Sequence, residues 1–213
     1  MDETAVAVRE VREVGPDTVA LTFAAPAEFA AEPGQFVRML AEFDGEEEGR
    51  YYTLSSPTVE GTFEVTVGVD PEGALGPWLA DREPGDEVRI EGPYGDDYYE
   101  GEESIVLLAG GPGVGPAIGI AERAISEGAE VTLVYRDDEP VHEERLSALS
   151  VGGARVVFVT GDLSDAVQSV ADRPDAAAFV YGFAGFCEEA VDALDDAGFD
   201  TEGAKVESFG PAP

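Results

Sequence analysis

The 213-residue chain contains one cysteine, one histidine and one lysine. A single cysteine, Cys187, excludes a disulfide within the chain and an iron–sulfur cluster held by its own cysteines, and we expect this thiol to be buried and inert. A single histidine, His142, leaves no zinc site of the usual kind, so no metal site is predicted. Because His142 closely follows Pro140 in an acidic segment, we expect it to be an exposed residue at the start of a helix.

The sequence contains no long apolar run and no basic patch, and we expect no leader. No charged-then-apolar segment opens it, and no apolar run approaches the ~20 residues that a membrane helix needs. These features predict a cytoplasmic protein that does not contact a membrane. Nucleic acid is not an expected partner, because no cluster of cations is present to neutralise its phosphates.

Acidic residues greatly outnumber basic ones. The chain has 46 Asp and Glu against 12 Lys and Arg, a net charge of −34, and Lys205 is its only lysine. Such a surface repels itself at low ionic strength, whereas molar salt shortens the Debye length to roughly 3 Å. The composition therefore predicts a halophilic protein of a salt-saturated cytoplasm. Disorder is the alternative, but apolar runs such as 104–109 argue against it.

Residues 1–100 contain short runs of alternating apolar and polar residues separated by turn residues, a pattern typical of strands. The predicted strands are 5–11, 18–23, 35–40, 50–57, 62–69 and 86–91. A short helix at 77–82 and a charged loop at 45–49 are predicted between them. Six strands at this spacing indicate a small antiparallel β-barrel.

From Ser104 onward, apolar strands alternate with helical segments. The predicted strands are 105–109, 130–135, 155–160, 176–181 and 205–209, and the predicted helices are 116–127, 141–149, 163–171 and 186–197. This alternation predicts an α/β domain with a doubly wound parallel sheet. We therefore expect two domains, 1–100 and 101–213, with residues 96–103 as a polar linker.

The segment 50–57, Arg-Tyr-Tyr-Thr-Leu-Ser-Ser-Pro, has more hydrogen-bonding capacity than a core strand uses. Arg50 can fork onto a phosphate, Tyr52 can lie against a ring, and Thr53 can bond a ring heteroatom. These groups suit a flat cofactor that carries phosphate. A polar strand with chance aromatics is the alternative on these residues alone.

Residues 109–116, Ala-Gly-Gly-Pro-Gly-Val-Gly-Pro, lie between a predicted strand and a predicted helix. In that context glycines let backbone amides approach a pyrophosphate, which then rests at the helix N-terminus. A tight strand–helix turn without a ligand is the alternative.

A barrel with R-x-Y-T followed by a sheet with G-G-x-G-x-x-P resembles the ferredoxin–NADP reductase superfamily, and the resemblance covers essentially the whole chain. It implies a flavin-binding barrel that holds FAD and an α/β domain that binds NADH or NADPH. The chain departs from the family pattern at several positions. Gly76 replaces a hydroxyl residue, Pro112 replaces a threonine, Tyr181 replaces a cysteine and Phe183 replaces a proline.

The resemblance implies three groups of site residues. Thr53 would bond the reactive ring nitrogen of the flavin, and Phe209, in a Glu-Ser-Phe segment similar to the family's E-x-F end, would lie against the ring. The remaining flavin contacts are implied for Arg50, Tyr52, Leu54, Val67, Gly73, Ala74, Leu75 and Gly76. The implied NAD(P) contacts are Gly110, Gly111, Gly113, Val114, Gly115, Pro116, Tyr135, Arg136, Tyr181, Gly182 and Phe183.

The implied function is hydride transfer between NAD(P)H and FAD, coupled to single-electron transfer with a separate redox protein such as a ferredoxin. Two alternatives remain open. One is an electron-transfer subunit of a larger complex, of the dihydroorotate dehydrogenase type. The other is a flavin- or nucleotide-binding module without turnover.

The choice of pyridine nucleotide depends on the end of the second strand of the α/β domain. Asp137 and Asp138 favour NADH, because a carboxylate can bond the free ribose hydroxyls and repel an additional phosphate. Arg136 favours NADPH, because a guanidinium can bind that phosphate. Two acids next to one arginine predict a preference for NADH.

Overall fold

A computed structural model describes residues 3–212, which form two β-sheets joined by a short irregular segment. The first sheet is antiparallel, with strand order β4-β3-β6-β1-β2-β5. Its strands are β1 (Thr4–Gly15), β2 (Thr18–Ala24), β3 (Phe36–Phe43), β4 (Glu46–Thr53), β5 (Thr62–Gly68) and β6 (Glu87–Tyr94). A single bridge between Leu54 and Val65 joins the two edges of the sheet and gives it the form of a barrel. Helix α1 (Leu75–Ala80) packs against β4 and β5.

The barrel core follows from the alternation of side chains along its strands. Val37 and Met39 of β3 and Val65 and Val67 of β5 have no exposed surface. Strand β4 lies at an edge of the sheet, and most of its residues are exposed or half-buried. Its side chains are therefore accessible to a ligand.

The second sheet is parallel, with strand order β11-β10-β7-β8-β9. Its strands are β7 (Ser104–Gly110), β8 (Glu130–Arg136), β9 (Arg155–Val159), β10 (Ala177–Gly182) and β11 (Lys205–Ser208). The crossover helices are α2 (Val114–Glu127), α3 (Glu143–Val151), α4 (Ser164–Ser169) and α5 (Ala184–Asp196). One hydrophobic cluster joins α2 and α3 to one face of the sheet, and another joins α4 and α5 to the opposite face.

Helix α2 also packs directly on the barrel, at two glycines one turn apart. A Cβ added at Gly115 would lie 2.2 Å from Thr66 Oγ1, and one added at Gly119 would lie 2.9 Å from the Ser55 backbone. Larger side chains at these positions would force the two sheets apart. The backbone of α2 therefore lies directly against the barrel.

The fold class is confirmed: an antiparallel barrel precedes a doubly wound parallel sheet. The predicted loop at 45–49 is wrong, because β4 begins at Glu46 and pairs with β3 through a tight turn at Asp44 and Gly45, both with positive φ. The strand predicted to run to residue 57 ends at Thr53, and the helix predicted at 77–82 begins at Leu75. Residues 96–103 lie between the sheets without regular structure, but they are tethered, because Tyr99 is buried in the parallel-sheet core. None of the helices within residues 3–212 is long and apolar enough to span a membrane.

Candidate functional site

Arg50 is an exposed cation of β4 that has no carboxylate partner within residues 3–212. This is unusual here, because ten of the twelve cations in the chain form ion pairs. Arg9 is the other cation that lacks a partner in this range. With 46 acids available, an unpaired arginine keeps its guanidinium free for another anion.

Tyr52 and Thr53 continue β4 beyond Arg50 at the end of the strand. Tyr52 packs against the barrel core, and burial raises the pKa of its hydroxyl to about 12 although Arg50 opposes the shift. The phenol therefore stays protonated and can donate a hydrogen bond at neutral pH. Thr53 is buried, whereas Tyr51 on the same outer face is 62% exposed.

The Gly73–Gly76 segment opens α1, beside β4 and β5. Asp70 shapes the turn that leads into it: its carbonyl accepts from the Gly73 N–H at 3.1 Å, and its carboxylate accepts from the Glu72 N–H at 2.9 Å. Gly73 is exposed, but the Leu75 side chain belongs to the barrel core. Backbone groups are what this segment can offer to a phosphate.

Several predicted contact residues have side chains inside the protein rather than at its surface. They are Leu54, Val67, Leu75, Val114, Tyr135 and Tyr181, each at most 2% exposed. The two tyrosines have internal partners. The Tyr181 hydroxyl lies 3.4 Å from the Asp97 carbonyl, and the Tyr135 hydroxyl donates to Asp137 at 3.0 Å and accepts from the Val141 N–H at 3.2 Å. Any role of these six residues in binding is therefore left to their backbone groups.

The glycine-rich loop forms a 3-10 turn, Gly111–Gly113, between β7 and α2. Gly111 has a φ of +55° and open space where a side chain would be, so its backbone is accessible. The neighbouring glycines serve packing: a Cβ at Gly110 would lie 2.6 Å from the Phe186 ring, and one at Gly113 would lie 2.2 Å from the Tyr181 carbonyl oxygen. Gly115 and Pro116 are also buried. Gly111 is thus the glycine best placed to approach a ligand.

An open cleft of about 640 Å³ lies beside this loop, at the carboxyl ends of β7, β8 and β9. Its lining combines Gly111 and Arg136 with four carboxylates, Asp137, Asp138, Asp162 and Glu189. Arg136 is not free: its guanidinium lies 4.8 Å from the centroid of the Phe186 ring and is ion-paired with Glu189. The cleft is therefore strongly acidic.

The C-terminal segment is anchored at the end of β10. The Phe209 N–H donates to the Gly182 carbonyl at 2.9 Å, and the Phe209 ring meets the Phe183 ring edge-on at 6.2 Å. Burial, reinforced by Asp97, raises the pKa of the nearby Glu207 carboxyl to about 7. Cys187 is buried as expected, and burial raises the pKa of its thiol to about 11.

His142 contradicts the sequence-based expectation of an exposed side chain. It is 3% exposed, its Nε2 lies 2.8 Å from Thr66 Oγ1, and its backbone N–H donates to the Val14 carbonyl at 2.8 Å. Burial, together with the positive charges of Arg145 and Arg12, lowers the pKa of the imidazole to about 3. Nδ1 has no hydrogen-bond partner among the described residues. The proline and the acidic neighbours favoured an exposed position for His142. The side chain is instead buried by contacts with the barrel, which no pattern in the local sequence indicates.

Arg145 of α3 completes this contact between the sheets. It donates to the Ser55 carbonyl at 2.7 Å and forms ion pairs with Glu64 of β5 and Glu122 of α2. We refer to His142, Thr66, Arg145 and Glu64 as the domain joint. Sequence reasoning missed it, because its members lie 76 and 81 residues apart in the chain.

Comparison with known proteins agrees with this arrangement. Residues 5–99 match the family model of the oxidoreductase FAD-binding domain. The chain is 36% identical over 116 residues to the glycine betaine monooxygenase reductase subunit of Chromohalobacter salexigens, covering 52% of this chain and 31% of that protein. It is 33% identical over 148 residues to the ferredoxin reductase component of 3-ketosteroid-9-alpha-monooxygenase from Mycolicibacterium smegmatis, covering 63% and 42%. The chain thus matches less than half of the length of either relative.

The whole fold is also found in a solved structure. A ferredoxin NADP+ reductase from Neisseria gonorrhoeae with bound FAD and NADP superimposes with a TM-score of 0.82, at 17% identity and with all of both chains covered. The family match of the barrel and the shared two-domain fold confirm the resemblance drawn from the motifs. The barrel thus matches the oxidoreductase FAD-binding domain, and the chain as a whole has the two-domain fold of that reductase.

Proposed function

We propose that the protein is an NAD(P)H-dependent flavin oxidoreductase. In this proposal FAD binds along β4 of the barrel and a reduced nicotinamide dinucleotide binds at the carboxyl edge of the parallel sheet. Electrons then pass singly to a separate redox protein such as a ferredoxin. The domain limits 1–100 and 101–213 and a cytoplasmic location remain parts of the proposal.

The observation that carries the proposal is the unpaired guanidinium of Arg50. Ten other cations in this acidic chain are neutralised by carboxylates, whereas Arg50 is exposed beside Tyr52. A pyrophosphate carries two negative charges, and the paired N–H donors of a guanidinium bind such a group well. The group and its surroundings therefore fit the phosphate and ring of FAD.

The second half of the proposal rests on the edge of the parallel sheet. Ligands of open α/β sheets bind at the carboxyl ends of the strands. The accessible backbone at Gly111 and the adjoining cleft both lie at that edge. The loop is also close to the barrel, because Pro112 lies 3.6 Å from the position of a Cβ at Gly68, the last residue of β5. Ligands on the two sheets would therefore be near each other.

Each half has a defined task in this scheme. FAD, when bound, supplies both hydride acceptance and one-electron release. Arg50 would hold its phosphate, Tyr52 and Thr53 would orient its ring, and Phe209 would lie against the ring. The protein thus contributes position and electrostatics.

A separate electron acceptor is supported by the names of the relatives. Both are reductase parts of monooxygenases, and one is called a ferredoxin reductase component. These names also favour the alternative that the chain serves within a larger oxygenase system. Activity with an isolated ferredoxin would support the first arrangement, and activity with an oxygenase component alone would support the second.

Steady-state oxidation of NADH and NADPH tests the proposal. Purified protein is loaded with FAD in molar salt, and oxidation of each donor is followed with a dye acceptor. Turnover that depends on added FAD is the expected result. Tight FAD binding without dye reduction would instead identify a binding module without turnover, and failure to bind FAD would overturn the proposal altogether.

A further inference from the structure

The single cation of the nucleotide cleft is held by α5. The Arg136 guanidinium lies over the Phe186 ring and forms an ion pair with Glu189, and both of these residues belong to α5. The Arg136 side chain is 24% exposed, against 60% for Glu189. One helix thus provides both the ring beneath the guanidinium and the carboxylate at its outer side.

The other carboxylates of the cleft surround this pair. Asp137 accepts from the Tyr135 hydroxyl and from the Glu139 N–H, and Asp162 accepts from the Ser164 N–H at 2.7 Å. Asp138 is exposed and has no partner within residues 3–212. A free carboxylate is an acceptor for hydroxyl groups, such as those of a ribose.

We propose that Glu189 determines the choice of pyridine nucleotide, by occupying Arg136 and so reserving the cleft for NADH. This inference rests on the proposed function, since it concerns the nucleotide side of the same site. The additional 2′-phosphate of NADPH would have to displace Glu189 from Arg136. It would then lie among four carboxylates with one cation to balance them. The ribose hydroxyls of NADH need no cation and can donate to Asp138.

Arg136 and Glu189, which are in contact, have opposite effects on the affinity for NADPH. Arg136 does not by itself recruit NADPH, although a guanidinium at the end of this strand suits a phosphate. Specificity lies in the repulsive partner, which is a common way to reject a competitor. Removing the charge of Glu189 should release Arg136 for the phosphate.

The test compares Glu189→Gln with Glu188→Gln, which removes an equal charge from the adjacent exposed position of α5. The FAD-loaded proteins are assayed with both donors in molar salt. Wild type should prefer NADH at least tenfold in kcat/KM. Glu189→Gln should raise the NADPH-to-NADH ratio of kcat/KM about tenfold, and Glu188→Gln should leave the ratio unchanged. The double variant Arg136→Ala/Glu189→Gln should not show this increase in the ratio.

Binding of 2′-phospho-AMP and of AMP, measured by calorimetry, separates this inference from the proposed function. Tighter binding of 2′-phospho-AMP to Glu189→Gln than to wild type is the expected result. If both mononucleotides bind and Glu189→Gln does not change their ratio, the role of Glu189 is wrong while the nucleotide site stands. If neither binds to wild type or variant, the cleft is not a nucleotide site and both proposals fall.

Discussion

The barrel and the parallel sheet each place an arginine beside a predicted phosphate, but in opposite states. Arg50 of the barrel is exposed and has no partner within the described residues, whereas Arg136 of the sheet is covered by Glu189 and Phe186. The chain has a net charge of −34, so carboxylates are abundant. Arg50 nevertheless stays unpaired within that range while Arg136 is neutralised, and this difference is marked. Residue type alone does not predict a phosphate contact. The pairing of the arginine decides whether it can make one.

The largest effect is expected from removing salt, which tests whether the two halves stay together. At ~10 mM salt the Debye length reaches ~30 Å, so the acidic surfaces of both halves repel each other unscreened. We predict cooperative loss of structure, followed by circular dichroism and by activity during dialysis. Full retention of both signals would show that the acidic surface does not require salt.

Arg50→Ala tests the free cation of the barrel, with Arg9→Ala as the matched control. Both arginines lack a partner within residues 3–212, but only Arg50 is expected to contact phosphate. A charged hydrogen bond of this class contributes about 1.5–3 kcal/mol, so FAD affinity should fall roughly tenfold to hundredfold. Titration with FAD measures it. Equal affinities for the two variants would remove the phosphate assignment.

Gly115→Ala tests the close contact between the halves. A methyl group there would lie 2.2 Å from Thr66 Oγ1, and Thr66 cannot move away easily because its side chain is branched at Cβ. Overpacking of this kind costs about 1–3 kcal/mol of unfolding free energy. The control is Gly185→Ala in α5, where a Cβ meets nothing within 4 Å. Thermal unfolding in molar salt should show a lower midpoint for Gly115→Ala alone.

The domain joint should respond to acid through His142. Because the folded-state pKa of this buried imidazole is lowered to about 3, the folded protein disfavours the proton that an unfolded chain binds below about pH 6.5. The contribution of His142 to stability is therefore complete above pH 6.5 and is lost as the pH falls. The loss is about 1.4 kcal/mol per pH unit, or about 2 kcal/mol at pH 5.

His142→Asn isolates this effect, since asparagine tolerates the left-handed backbone at this position but does not titrate. Unfolding free energies of both proteins are compared at pH 8 and pH 5 in molar salt. The wild type should lose about 2 kcal/mol more than the variant. Equal losses of unfolding free energy in the two proteins would mean that the imidazole of His142 is solvated in the folded protein.

The sequence predicted the barrel and the parallel sheet well, because these features depend on local patterns. Which side chains are buried follows from the local pattern alone, as shown by the alternating residues in β3 and β5 and by the apolar run of β7. The prediction failed where a distant partner decides the outcome. The acidic 46–49 stretch pairs with β3, and His142 is buried by Thr66 and Val14. Local sequence patterns could not predict the Arg136–Glu189 pair for the same reason, since its members are 53 residues apart.

The pairing of nearly all cations also governs how the protein meets other molecules. With a phosphate bound at Arg50, Arg9 would be the one unpaired cation left in residues 3–212. The long-range field is then negative from almost every direction of approach, so it cannot orient a partner towards one face. An acidic partner is repelled until salt screens both surfaces, and the association rate constant should rise with ionic strength, the reverse of electrostatic steering. The sign of that slope therefore reports the charge of the physiological partner.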